Sequence, residues 1–229
     1  EATTMMLTYI YKNIHNVITY KEDIESLRRE NDKLVKKQKK MSNITSGVEL
    51  VKNPMYLNLE NTVGASTLID KLNQGKPHLL YNYCLSTWVF IHERGNNFGN
   101  QYKEFTNILN FKNRPRISVN VHKKELLVTM ENKSGDDFEY TMKNIELQKW
   151  NNVVVNYDGG ILDIYMNGNL VSSSKNVLPK IEEHANIIIG QNNGVSGGIC
   201  NVLYFPTTIS HNRIKANYKM LKNRNPPVV

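Results

Sequence analysis

Residues Trp150 to Ser172 read WNNVVVNYDGGILDIYMNGNLVS, and this stretch decides the fold class. Val153 to Val155 start an apolar strand, which Asp158-Gly159-Gly160 ends with residues that tolerate the positive φ angles of a short hairpin. Leu162 to Met166 then alternates apolar and more polar side chains, which is typical of a strand with one buried face. Asn167-Gly168 is a strong hairpin-turn signal. The stretch therefore predicts two antiparallel strands, each followed by a tight turn.

Four residues of this stretch, Trp150, Tyr157, Tyr165 and Gly168, carry a resemblance to a known family. Their pattern resembles the central signature of laminin-G-like domains of the concanavalin A-like lectin and glucanase superfamily. Further segments match the family pattern in the same order along the chain: Leu85–Val89 with Trp88, Ile187–Ile189 with Gly190, Gly197–Tyr204 with Gly198, and a short closing helix over Ile209–Tyr218. The resemblance covers about residues 54 to 222 and implies a mainly β, two-sheet antiparallel jelly-roll sandwich.

The remaining strands agree with a sandwich. Ile117, Val119 and Val121 alternate with polar residues, and Leu126–Met130 and Tyr140–Ile145 follow after turns. Short strands separated by turns indicate antiparallel sheets packed face to face. We therefore assign residues 48–229 to a jelly-roll domain with a short helix near its end. Within it, Trp88 and Trp150 are interpreted as core anchors rather than ligand platforms.

Residues 10–41 follow a different pattern. Apolar residues recur at two positions of a heptad, called a and d, over roughly four repeats. Position a holds Ile10, Val17, Ile24, Asn31 and Gln38, and position d holds Asn13, Tyr20, Leu27, Leu34 and Met41. This pattern predicts a long helix that precedes the sandwich. Val17 and Ile24 at a with Leu27 and Leu34 at d favour a parallel two-stranded coiled coil, in which Asn31 would fix the register.

The helix has a second interpretation. It can lie on its own domain or on another protein, because Asn13 and Gln38 interrupt the apolar seam. Lysines at 33, 36, 37, 39 and 40 give it a basic end, interpreted as a solvated face that complements the helix dipole. The polar run Ser42–Gly47 is expected to end the helix and to act as a linker, so residues 1–47 form the stalk and linker.

Composition limits the partners and the location. The chain has 229 residues, of which 40% are hydrophobic, and a formal charge of +8. The basic residues are spread out and no nucleic-acid motif is present, so we expect no nucleic-acid partner. The two cysteines, Cys84 and Cys200, are expected to be isolated buried thiols, with pairing left open. No stretch is long enough to span a bilayer. A leader or membrane anchor upstream of Glu1 is a hypothesis.

Candidate catalytic residues are few. Glucanases of the superfamily share a Glu-x-Asp-x-Glu strand motif whose alternation places carboxylates on one face. This sequence lacks it, and the nearest pair, Asp137 and Glu139, follows a turn and is interpreted as a solvated hairpin rim. The six histidines show no HExxH spacing, and no G-x-S-x-G elbow is present. The sequence predicts a protein without enzymatic activity.

Two oxygen-rich loops are the candidate ligand sites. Many relatives bind calcium through Asp and Asn, and sugars beside it. Here the loops Arg94–Asn97 and Gln191–Gly194 present Asn96, Asn97, Asn192 and Asn193 but almost no charge. We expect no cofactor, with a weak calcium site left open, and loop structure is the simpler account of these asparagines.

Two functions remain. The first is a structural or assembly protein that uses the sandwich and the helical stalk for contacts with other proteins or with itself, as a minor capsid or surface component of a large DNA virus. The alternative is a glycan-binding lectin or adhesin module with aromatic and Asn side chains lining a shallow site. The first function would place the protein in a virion, and the second would place it outside the cell or anchored to a membrane. Calcium-dependent sugar binding would favour the alternative.

Overall fold

The computed structural model describes residues 2–64, 82–93, 103–179 and 186–228, and the side chains of residues 2, 16 and 36–46 lie outside that description. The chain divides into two compact units, Glu1–Thr45 and Ser46–Val229. Among the described residues, neither helix combines the length and the apolar content that a membrane span needs.

The first unit consists of the helix α1, Ala2–Ser46, whose last residue is counted with the second unit. It is longer than predicted at both ends, and the expectation that Ser42–Gly47 would break it is wrong for Ser42–Ser46. Serine, threonine and asparagine lower helix propensity by well under about 1 kcal/mol each, which is too little to stop an established helix. Gly47 follows the helix with φ of 81°.

The second unit is a two-sheet sandwich. Its strands are β1 Val48–Val51, β2 Met55–Tyr56, β3 Asn61–Val63, β4 Asn82–Ile91, β5 Thr106–Phe111, β6 Arg116–Asn120, β7 Glu125–Met130, β8 Phe138–Met142, β9 Trp150–Asp158, β10 Ile161–Met166, β11 Asn169–Ser174, β12 Ile187–Ile189 and β13 Gly197–Phe205. A helix, α2 His211–Leu221, follows.

The described strands form two antiparallel sheets. Sheet A has the order β1-β13-β4-β9-β10-β11, with β2 also paired to β13, and sheet B has the order β3-β12-β5-β6-β7-β8. In the central hairpins Asp158 pairs with Ile161 and Met166 with Asn169. Each pair leaves a two-residue loop, and Asn167 and Gly168 have φ of 51° and 78°. The predicted mainly β sandwich with a preceding helix is confirmed.

The alternation of side chains places the core between the sheets. In β4 the side chains of Leu85, Val89 and Ile91 are buried there, and in β9 those of Val153 and Val155 are. Ile117, Val119, Leu126 and Val128 of sheet B face them in the same cluster. Because side chains alternate, the residues between these positions lie on the outer face of sheet A.

The helix α2 covers part of that outer face. Ser210 caps it by accepting a hydrogen bond from the Arg213 N–H over 3.4 Å. Two clusters pack beneath it: Cys84, Val154, Tyr165, Phe205, Ile209 and Ile214, and then Trp88, Cys200 and Leu221. The Trp88 ring stacks on Tyr218 with 5.7 Å between centroids.

The two cysteines lie in these clusters. Both are free and buried. Because Cys84 pairs with Phe205 and Cys200 with Trp88, they lie on neighbouring strands but not opposite each other. Burial raises the pKa of the Cys200 thiol from its ordinary value of 9.0 to about 12, so it is uncharged at neutral pH.

Candidate functional site

One row of residues crosses four strands of sheet A on its outer face. Tyr56 of β2 pairs with Gly198 of β13, Gly198 pairs with Phe90 of β4, and Phe90 pairs with Trp150 of β9. The row therefore reads aromatic, glycine, aromatic, aromatic. The alternation shows why all four share the outer face: Met55, Leu57, Val89, Ile91 and Ile199, which flank them, belong to the inner core.

The absent side chain at Gly198 opens a cleft in this row. The cleft has a volume of about 210 Å³ and is lined by Pro54, Met55, Tyr56, Phe90, His92, Trp150, Gly197 and Gly198. Tyr56 and Phe90 lie two strands apart, about 9–10 Å. A flat group in contact with both walls needs about 7–8 Å, since carbon contacts are about 3.5–4 Å. The opening is therefore about the thickness of one ring.

The walls of the cleft are aromatic rings, three of which contact each other in sequence: His92, Phe90 and Trp150. Phe90 meets Trp150 edge-on with 5.5 Å between centroids, and it meets His92 edge-on at 5.0 Å. The Tyr56 side chain is 76% exposed, so its ring is accessible from solvent. Phe90 and Trp150 are half-buried. Tyr56 and His92 are the exposed rings of the lining, whereas Trp150 also packs against the cluster of Trp88, Cys200 and Leu221.

Polar groups stand at the rim. The Nδ1 atom of His92 lies 3.3 Å from Oε1 of Gln148, and the Gln148 N–H donates to the Ile91 carbonyl over 2.8 Å. Trp150 donates its indole N–H to Oδ1 of Asn225 over 2.9 Å. These bonds fix the orientations of two of the walls, so the cleft is organised without a ligand.

The two glycines of the cleft have different roles. A Cβ atom on Gly197 would approach the Phe90 carbonyl oxygen to 2.2 Å, so only glycine allows β13 and β4 to pack this closely. A Cβ atom on Gly198 would meet Cη2 of Trp150 and the Met55 carbonyl oxygen at 3.6 Å, which is ordinary contact. Gly197 is needed for packing, whereas Gly198 keeps the floor of the cleft free.

The described residues that line the cleft carry aromatic rings and no carboxylate. A paired-carboxylate mechanism requires two Asp or Glu side chains. In the described part of the chain, no three His, Cys, Asp or Glu side chains come together to hold a metal ion. Aromatic faces with a few polar rim atoms suit a ligand that has an apolar face and polar edges.

The family-signature residues lie at packing positions. Trp88 is buried, as expected of a core anchor, whereas Trp150 is only half-buried and forms a wall of the cleft. Tyr157 is buried and donates to the Val177 carbonyl over 3.0 Å, and Tyr165 lies in the cluster beneath α2. Gly168 lies against Tyr218, and Gly190 approaches the carbonyl of Leu59.

The loop residues predicted to bind a ligand are only partly described, and one of them has a structural hydrogen bond. Asn192 Oδ1 accepts a hydrogen bond from the Glu60 N–H over 3.1 Å, so this oxygen holds two loops together. Asn193 is exposed with φ of 58°. Asn96 and Asn97 lie outside the described residues. Asp137 accepts from the Asn132 N–H over 3.3 Å, and Glu139 is exposed on β8, which agrees with a hairpin rim.

The predicted partner-helix residues lie along α1. Val17, Ile24, Leu27, Asn31 and Leu34 are all exposed. The sequence interpretation missed Tyr56, Phe90 and His92. The alternation in β4, where Trp88 and Phe90 share a face and His92 follows directly after the strand, was the available signal.

Comparison with known families identifies the fold. A laminin-G domain profile described as "Concanavalin A-like lectin/glucanases superfamily" matches residues 71–215. This chain belongs to that superfamily. The sandwich is therefore a lectin-like module by family as well as by architecture. Among curated proteins, none matches the sequence.

Solved structures share the architecture of this superfamily member. The receptor binding domain of botulinum neurotoxin D has a TM-score of 0.58 at 16% identity, over 73% of this chain and 43% of that one. The receptor binding domain of botulinum neurotoxin C/D mosaic serotype gives 0.57 at 16%, over 73% and 42%. The binding domain of Paraclostridial Mosquitocidal Protein 1 gives 0.51 at 12%, over 60% and 37%. The chain spans less than half of each structure, and the likeness concerns the fold.

Proposed function

We propose that this chain is a non-catalytic glycan-binding module whose site is the aromatic cleft of Tyr56, Phe90, His92 and Trp150. The observation that carries the proposal is the cross-strand row with Gly198 at its centre. A row of side chains at matched register on a rigid sheet is preorganised, so little conformational entropy is lost when a ligand binds.

The size of the cleft points to one ring-sized unit of a larger ligand. Its volume of about 210 Å³ is below the range of about 300–1,000 Å³ that is usual for small-molecule pockets. A sugar ring has an apolar C–H face that packs on aromatic rings and hydroxyl groups at its edge that can bond to rim atoms such as those of His92 and Gln148. The lectins named in the superfamily description support this ligand class.

The test is a glycan array on the full chain, with and without calcium. We expect binding that is independent of calcium, because no carboxylate is among the described residues that line the cleft. Tyr56→Ala should reduce binding at least tenfold, and Tyr56→Phe should retain most of it, since the ring remains. Leu170→Ala is the matched control, because Leu170 is an exposed side chain outside the cleft lining.

Two results would overturn the proposal. One is an array without reproducible binding by the folded wild-type chain. The other is equal binding by wild type and Tyr56→Ala, which would place the sugar elsewhere. Turnover of a glycan that disappears in Asp137→Asn or Glu139→Gln would contradict the non-catalytic part.

Structural assembly is the second candidate function, and the observation that favours it is the exposed apolar surface of α1. In this alternative the stalk and the sandwich contact other proteins, with the capsid or surface of a large DNA virus as the setting suggested in the sequence analysis. An inert glycan array together with stable association through α1 would favour assembly over glycan recognition.

A further inference from the structure

We infer that α1 pairs in parallel with α1 of a second copy of this chain, along a stripe that begins near Leu7 and runs to Leu34. The stripe consists of Leu7, Ile10, Ile14, Val17, Tyr20, Ile24, Leu27, Asn31 and Leu34, all exposed on the described helix. This inference concerns association and stands independently of the glycan proposal.

The helix bounds change the seam that the heptads alone suggest. Because α1 begins at Ala2, Leu7 is helical, and the three- and four-residue steps from Leu7 through Ile10 lead to Ile14 rather than Asn13. Steps along the stripe alternate between three and four residues, except that Ile14, Val17 and Tyr20 are separated by two steps of three. A single three-residue phase shift of this kind is a stammer, which coiled coils accommodate by local overwinding.

An exposed stripe of this length needs a partner. Leu27 is 63% exposed and its neighbours on the stripe are similar. Isolated helices gain little from propensity, and most helical stability comes from packing an apolar face. The ion pair of Glu25 and Arg29, 3.6 Å apart on the helix surface, contributes only a few tenths of a kcal/mol.

The charges beside the stripe select a second copy as the occupant. With Val17 and Ile24 at position a, Asp23 and Glu30 lie at position g, and Lys21 and Arg28 lie at position e. In a parallel pair, g of one helix meets e of the other, so Asp23 faces Arg28 of the second copy. In an antiparallel pair g meets g and e meets e, which brings like charges together.

Asn31 gives a second argument for a parallel pair in register. An asparagine at a single a position lies in an otherwise apolar seam, and it is satisfied when it meets the same residue of the partner. A shift by one heptad would place the amide of one copy against Ile24 of the other, where an unpaired polar group costs about 1–3 kcal/mol.

The experiment measures the mass of the full chain by light scattering or sedimentation equilibrium. We expect twice the chain mass of 26.4 kDa at micromolar concentration. Ile24→Asp should shift the dissociation constant upward by at least 100-fold. Ile18→Asp is the matched control: Ile18 is 51% exposed against 50% for Ile24, and it lies about 100° round the helix from Val17.

Orientation is tested by single cysteine variants. Val17→Cys and Leu34→Cys should each form a disulfide-linked dimer on mild oxidation, because in a parallel pair every seam residue meets its own copy. In an antiparallel pair only a residue at the crossing point meets itself, so the two variants cannot both cross-link. Cys84 and Cys200 are buried and should not interfere.

A monomeric mass for the folded wild type, or equal dissociation in Ile24→Asp and Ile18→Asp, would overturn the inference. Cross-linking at one of the two positions only would overturn the parallel orientation. Circular dichroism of each variant separates loss of pairing from loss of the fold, since β-sheet signal persists when only the helices part.

Discussion

Trp150 donates its indole N–H to Oδ1 of Asn225 over 2.9 Å, and this bond joins the segment after α2 to a wall of the aromatic cleft. The same segment is held by two further bonds, from Asn201 Nδ2 to the Pro227 carbonyl over 3.1 Å and from Arg224 Nη1 to the Val228 carbonyl over 2.8 Å. The position of the Trp150 ring therefore depends on residues more than seventy positions later in the chain.

Asn225→Ala tests this dependence. We expect a loss of about 0.5–1 kcal/mol of unfolding free energy, the low end of the usual range, because the bond is solvent-exposed. Glycan affinity should fall several-fold as the Trp150 ring gains freedom. Asn225→Asp keeps the acceptor and is the control. Urea denaturation measures the unfolding free energy, and titration calorimetry measures the glycan affinity. Unchanged affinity in Asn225→Ala would show that the bond to Asn225 does not contribute to ligand binding.

Gly197→Ala and Gly198→Ala should differ in stability despite being the same change at adjacent positions. At Gly197 the new methyl group would lie 2.2 Å from the Phe90 carbonyl oxygen, so strands must move and we expect a loss of at least about 2 kcal/mol. At Gly198 the contacts are 3.6 Å, and replacing a strand glycine by alanine can add about 0.5 kcal/mol. Thermal melts of the two variants give the comparison, and equal melting temperatures would contradict it.

Gly198→Val should remove ligand binding while the fold stays intact. The two γ-methyl groups would extend from the floor of the cleft between Tyr56 and Phe90, into space of about 210 Å³. We expect at least a tenfold loss of glycan affinity, measured by calorimetry. Gly64→Val is the control, because a Cβ atom there meets no atom of the described residues within 4 Å. Full affinity in Gly198→Val would show that the ligand does not enter the cleft.

Stability should decline at alkaline pH because of buried phenols and thiols. Burial raises the pKa of Tyr83 and Tyr204, although Arg114 opposes the shift, and it raises that of Cys200 to about 12. On raising the pH, the unfolded chain loses these protons at a lower pH than the folded chain does. The contribution of these groups to the unfolding free energy is therefore fully present below about pH 9. Above that pH it falls by up to about 1.4 kcal/mol per pH unit for each group.

Tyr204→Phe isolates one of these groups. Within the described residues the Tyr204 hydroxyl is buried without a hydrogen-bond partner, so its removal should be neutral or stabilising by about 1 kcal/mol at pH 7. Tyr83→Phe should instead cost about 1 kcal/mol, since that hydroxyl donates to the Arg114 carbonyl over 2.8 Å. Urea denaturation between pH 7 and 10.5 should show that the unfolding free energy declines less steeply with pH in Tyr204→Phe than in wild type. Equal steepness in the two proteins would refute the contribution of Tyr204 to the decline.

The fold could be predicted from the sequence because its decisive signals are local. Asn167-Gly168 and the alternation of Leu162 to Met166 act over a few residues, and the hairpin that they predict is present. The end of α1 could not be predicted from Ser42–Ser46, because turn propensities of a few tenths of a kcal/mol do not outweigh helix propagation.

The candidate site could not be found in the same way. Tyr56, Phe90, Trp150 and Gly198 are far apart in sequence, and only the pairing of β2, β13, β4 and β9 brings them into one row. Register between distant strands is fixed by the packing of the whole core rather than by any short motif. Trp150, interpreted from the sequence as a core anchor, packs half-buried against the cluster of Trp88, Cys200 and Leu221, and its place in the row follows only from the strand pairing.

The pairing of β1 with β13, in which Val48 lies opposite Tyr204, also constrains how the molecule is made. Strands β5 to β8 are successive neighbours and can close as hairpins soon after they leave the ribosome. The strand at Val48 emerges early but has no ladder partner until almost all of the sandwich has been synthesised. During that interval its unpaired edge is open to mispairing with nascent neighbours, and cotranslational chaperones would be most useful at this end of the sandwich.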